Sequence, residues 1–187
     1  MALRYAITKA DLLPSSKIWL FLWSSKHGPV YSQEPEEYLT TLEQWRCMSA
    51  AKHDNTPIFL AVKSEQHVFN GYGAQETCDM LFQALISPLM PTYLICQHPA
   101  LWLRFKTAVL DYPVGRLRIL QEEALPYVSG LRPFHMKRDA HYRFLKHVYS
   151  YQRKHVTVNQ DMLSLIHELD LVDPTKTIAD DGSEKGQ

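Results

Sequence analysis

Asn55-Thr56-Pro57-Ile58-Phe59-Leu60-Ala61-Val62 sets an unbroken apolar run between a turn and the polar stretch Lys63-Ser64-Glu65-Gln66. The shortness of the run and its flanks predict a buried strand, since a strand covered on both faces shows no alternation. Three other stretches read the same way. Lys17 to Trp23 (KIWLFLW) is aromatic-rich and ends at Ser24-Ser25-Lys26-His27-Gly28-Pro29. Thr92 to Cys96 (TYLIC) follows Pro88 and Pro91, and Arg116 to Leu120 (RLRIL) alternates polar with apolar as an edge strand does.

Helical spacing fills the intervals. Pro35 to Lys52 opens with Pro and two acids and spaces Tyr38, Leu42, Trp45 and Met48 three or four apart. Ala74 to Ile86 turns Cys78, Leu81, Phe82 and Leu85 one way. Pro99 opens a further helix with Leu101, Phe105, Ala108 and Val109 on its buried side. Strands alternating with helices predict an α/β fold, with a mixed, partly parallel sheet of about four strands flanked by helices. Beyond Pro133 the pattern is helical only. Arg138 to His155 puts Ala140, Phe144, Leu145, Val148 and Tyr151 on one arc, and Asn159 caps a last helix carrying Met162, Leu163, Leu165, Ile166 and Leu169. The expected organisation is an α/β domain over residues 1–131, an all-helical extension packed on it over 132–173, and a flexible acidic tail over 174–187.

A hydrophobic content of 45% over 187 residues is enough for a folded core. The formal net charge of zero conceals an imbalance. Arg104 to Lys154 holds 11 basic against 4 acidic residues, whereas the first 103 residues hold 7 against 9 and the last 33 hold 2 against 7. Such a segment attracts an acidic partner. The N-terminus lacks the charge and apolar pattern of a secretory signal, and Ile18 to Trp23 falls far short of the roughly 20 residues that span a bilayer. A soluble protein with no membrane partner is expected. Cys47, Cys78 and Cys96 are odd in number and far apart, giving neither a disulfide framework nor a zinc motif and pointing to the cytoplasm.

No catalytic constellation stands out. Ser24, Ser25 and His27 lack a nucleophile elbow, while Glu36-Glu37 and Glu122-Glu123 are adjacent pairs that face apart on a regular element. His141 and His147 are six apart and point about 120° away from one another on a helix, so they make no metal pair. No cofactor and no metal are expected. The function read from these residues is a non-catalytic protein-interaction adaptor or accessory subunit. Arg138, Arg143, Lys146 and Arg153 would attract an acidic protein, and Tyr142 and Tyr149 would supply contact area. Two alternatives remain open. The basic 104–154 segment with its tyrosines suits single-stranded nucleic acid. Gly71 and Gly73 ahead of a helix suit a phosphate, and that spacing resembles the cofactor-phosphate loop of acetyltransferases, implying an acyl-CoA ligand.

The order of elements also resembles the effector-adaptor (chaperone) domain of type VI secretion systems. IWLFLW looks like that family's opening strand and TPIFLAV like its strand after an acidic helix. YLICQHPALWLRFKTAVL is similar to its strand, polar turn and helix, and GRLRILQEEALPYVSGL to its arginine-bearing strand, with Arg118 at the arginine. Gln121-Glu122 stands where the family has Asp-Pro. The resemblance implies a cytosolic chaperone that docks a toxin effector onto a secretion spike.

Overall fold

Over the residues that the structure describes, the chain is mostly helical. A computed structural model describes residues 26–124, 138–156 and 158–169, with isolated positions 8, 10, 13 and 17 before them. Its helices are α1 (Pro35–Ala51), α2 (Ile58–Ser64), α3 (Ala74–Gln83), α4 (Thr92–Gln97), α5 (Pro99–Ile119), α6 (Arg138–Leu145) and α7 (Gln160–Glu168). A π-helical turn, Leu120–Ala124, prolongs α5. Among the described residues there is no sheet, only one isolated antiparallel bridge between Pro57 and Pro91. The α/β expectation is therefore overturned: Ile58–Val62 lies in α2, Thr92–Cys96 in α4, and Arg116–Leu120 runs through the end of α5 into the π turn. The fourth expected strand, Ile18 to Trp23, lies outside the described residues.

The two short runs become helices for one shared reason. Each begins after a proline with extended backbone, Pro57 (φ −54°, ψ 134°) and Pro91 (φ −58°, ψ 134°), and neither has a side-chain cap. The first backbone N–H groups of a helix need acceptors, and here each helix start is served by the loop leading into the other. Ile58 N donates to Met90 O (2.9 Å) and Phe59 N to Pro88 O (3.2 Å), while Thr92 N donates to Thr56 O (3.0 Å) and Tyr93 N to Asp54 O (2.9 Å). The Thr92 hydroxyl adds a bond to Thr56 O at 2.7 Å. Both helices bury positions i, i+3 and i+4: Ile58, Ala61 and Val62 in one, Thr92, Ile95 and Cys96 in the other. Periodicity alone does not separate so short an apolar run into strand or helix. The reciprocal loop contacts do.

The core gathers around Trp45 of α1, whose ring meets Phe69 edge-on at 4.8 Å and lies near Phe105 (6.1 Å) and Trp102 (6.4 Å) of α5. The buried face of α1 is Tyr38, Leu42, Trp45 and Ser49, and Met48 is turned outward. In α3 the buried face is Thr77, Asp79, Met80 and Leu81, rotated from the expected Cys78–Phe82 face. Helices α1 and α4, α4 and α5, α2 and α3, and α3 and α5 pack pairwise. The segment before α1 is pinned against residues 66–70. Gly28 N donates to Gln66 O and the Asn70 amide to Gly28 O, and a Cβ at Gly28 would sit 1.7 Å from His67 O, so only glycine fits.

Helix α5 runs straight past Pro113, which cannot donate to Val109 O one turn back. The Tyr72 hydroxyl donates to that carbonyl instead, at 2.7 Å in a buried setting. A Tyr72→Phe variant would strand the Val109 carbonyl, with an expected loss of about 1–3 kcal/mol in urea unfolding. The chain divides into two compact units, Met1–Arg153 and Lys154–Gln187. The second contains α7, capped as expected by Asn159, whose Oδ1 accepts from Met162 N at 2.8 Å. The 174–187 tail lies outside the described residues. All three cysteines are free, and burial pushes the Cys96 thiol up to about 12.

Candidate functional site

Helix α6 is short and polar, with Ala140 its one buried residue. Arg138, Tyr142 and Lys146 recur every four positions, so they share one side of the helix and the turn that follows, with Arg143 beside them. All four are exposed. Arg138 lies over the Tyr142 ring, 5.4 Å from its centroid, and donates to its hydroxyl at 3.2 Å. Arg143 is also engaged within the molecule. Four of the six residues singled out from the sequence therefore come together.

The other two turn inward. The helix expected to run to His155 stops at Leu145, and Arg153 folds back to donate from Nε to Val148 O (3.1 Å) and from Nη2 to Leu145 O. Its guanidinium thus closes the carbonyl end of α6. Tyr149 is half-buried and contributes its backbone N–H to a clasp. Asp79 of α3 is fully buried, and its Oδ1 accepts from Tyr149 N (3.1 Å), Ser150 N (2.7 Å), Tyr151 N (3.2 Å) and the Ser150 hydroxyl (3.2 Å). Three successive N–H groups form a concave anion seat, and here the chain's own carboxylate fills it. Sequence reasoning passed over Asp79; a lone acid between Cys78 and Met80 on an apolar helix was the available signal.

Arg116 ties α5 to α6. Its guanidinium lies 4.6 Å from the centroid of the Phe144 ring and 5.8 Å from that of Tyr112, and Nη1 donates to His147 O at 2.6 Å. Next to it, His147 Nε2 meets Glu123 Oε2 of the π turn at 3.0 Å. That hydrogen bond, helped by the charges of His147, Arg143 and Lys146, holds the Glu123 carboxyl below the usual range. A lowered folded-state pKa gives a contribution that is present above the ordinary carboxylate range and lost as pH falls through the lowered value. The melting temperatures of wild type and Glu123→Gln are therefore expected to differ near neutrality and converge in acid below that range; a constant gap from pH 7 to pH 3 would contradict this.

Between α3, α5 and α6 lies a cleft of about 420 Å³, walled by Tyr72, Tyr112, Leu117, Leu120 and Phe144, with Glu76 and Arg116 also lining it. The Gly71–Gly73 loop borders it. The N-terminus of α3, where a phosphate was weighed, is served by Glu76, whose Oε2 accepts from Gly73 N at 3.2 Å. Among the described residues no group of three or more His, Cys, Asp or Glu could hold a metal ion, and no helix is long and apolar enough to cross a membrane.

Neither the family models, the curated proteins nor the solved structures contain a match to this chain. The likeness to effector adaptors had been drawn on strand-and-helix order, and each of its described strands is a helix.

Proposed function

We propose that this chain is an interaction module that binds an acidic protein through the exposed side of α6. The observation that carries the reading is Tyr142, about half exposed, with Arg138 on one ring face and Arg143 and Lys146 alongside. Such charges speed encounter, and the aromatic ring supplies contact area once the partner arrives. Leu117, also half-exposed, borders the same cleft as Phe144 of α6 and adds apolar surface. Protein is favoured over nucleic acid as partner because base stacking needs open ring faces, and Arg138 already covers one face of Tyr142. Three unbridged thiols are compatible with a reducing compartment, and this supports a cytosolic encounter as part of the proposal.

A photo-crosslinking residue at position 142 tests this, with position 89 on the α3–α4 loop as control. The expected result is a protein adduct of low isoelectric point at 142 only, falling about tenfold at high salt and lost in Arg138→Glu/Lys146→Glu. Equal adducts at both positions, or an adduct destroyed by nuclease, would overturn it.

A further inference from the structure

We infer that the cleft between α3, α5 and α6 binds a small zwitterion with an apolar, preferably aromatic, body: a free amino acid of the phenylalanine type. Two half-buried groups of opposite charge line this one cleft, Glu76 and Arg116, and they make no ion pair with each other or with any other described residue. Unpaired charge in a partly desolvated setting is costly, and a ligand carrying both complementary charges removes the cost at both ends. Arg116 is pre-set for a carboxylate. Its plane is packed against Phe144 and Tyr112, and His147 O occupies Nη1 alone, which leaves the Nε–Nη2 edge without an acceptor among the described residues. Glu76 uses Oε2 on Gly73 N, leaving Oε1 for an ammonium. The rings of Tyr72, Tyr112 and Phe144 line the same cleft and favour an aromatic body through edge and offset contacts. A volume of about 420 Å³ lies within the range of small-molecule sites.

Calorimetric titration of the whole chain tests this with three probes: L-phenylalanine, 3-phenylpropionate, which lacks the ammonium, and phenethylamine, which lacks the carboxylate. L-phenylalanine is expected to bind at roughly 0.1–1 mM, with each truncated probe about tenfold weaker or more. In Glu76→Gln, which keeps an oxygen for Gly73 N, L-phenylalanine is expected to weaken about tenfold while 3-phenylpropionate does not. Arg116→Gln is expected to abolish binding, its fold being checked by circular dichroism; should it not fold, the Glu76→Gln comparison stands alone. No heat with L-phenylalanine up to ~10 mM, or equal binding of the three probes, would overturn the inference. Neither result bears on adducts at position 142, so the two proposals fail separately.

Discussion

Asp79→Ala is expected to detach residues 149–151 from α3 and to cost about 3–5 kcal/mol, since several donors lose their acceptor together and each buried donor left unsatisfied costs about 1–3 kcal/mol. Three backbone N–H groups would lose their acceptor at once, along with the Ser150 hydroxyl. For a chain of this length the loss corresponds to a fall of about 6–20 °C in melting temperature. Asp79→Asn keeps Oδ1 as an acceptor, so its cost is expected to be about 1–2 kcal/mol. Part of that cost comes from the amide nitrogen, which would replace Oδ2 where the structure shows no hydrogen-bond partner among the described residues. Thermal melts of the two variants check the ordering. An Asn variant as damaged as the Ala variant would mean that charge, not acceptor geometry, holds the clasp.

Trp45→Ala is expected to cost a further large amount, about 3–5 kcal/mol, as for other buried aromatic truncations. Trp45 is 2% exposed and touches three aromatic rings, Phe69, Trp102 and Phe105, from two different parts of the chain. Helices α1 and α5 are also joined at the surface by Lys106 and Glu43 (2.8 Å), where Lys106 and Arg46 more than reverse the upward push of burial on the carboxyl. That half-buried surface pair is worth little beside the ring cluster. Trp45→Phe keeps most of the area and should recover over half of the loss. Urea unfolding of both variants checks this, and a loss below ~1 kcal/mol in Trp45→Ala would contradict the placement of the core.

The long amphipathic segments were legible as helices because their period repeats over several turns: α1 and the first half of α5 follow the apolar spacing, α3 is a helix with its buried face rotated from the expected one, and Asn159 caps α7. The short apolar runs were not. Five or six residues span less than two helical turns, and β-branched and aromatic side chains favour a strand locally. What decides α2 and α4 is the pairing of two loops, Asp54–Pro57 and Pro88–Pro91, which no local pattern announces. Pro57-Ile58-Phe59-Leu60 and Pro91-Thr92-Tyr93-Leu94 share proline, an aromatic and leucine in register, and both segments read as strands and both fold as helices. Pro113 is tolerated inside α5 because the acceptor it leaves is served from outside the helix, by Tyr72.

The site divides in the same way. Charge and exposure follow from composition, and Arg138, Tyr142, Arg143 and Lys146 stand on one surface as their spacing predicts. Tyr149 and Arg153 sit past the point where the expected helix would have had to continue, and the chain instead folds back there through Arg153 and Asp79. Arg116 was invisible as a functional residue while RLRIL read as a strand. On a helix it faces Tyr112 one turn away and Phe144 on α6.

The most direct test of this arrangement is amide hydrogen exchange at Tyr149, Ser150 and Tyr151. These three N–H groups lie in a turn outside any helix, where unassisted exchange is fast, and only the Asp79 carboxylate holds them. Their exchange is expected to be slowed to the level of the α3 amides in wild type and to become fast in Asp79→Ala. Fast exchange in wild type would mean that residues 149–151 are not held against α3 and that the chain after α6 does not fold back as described.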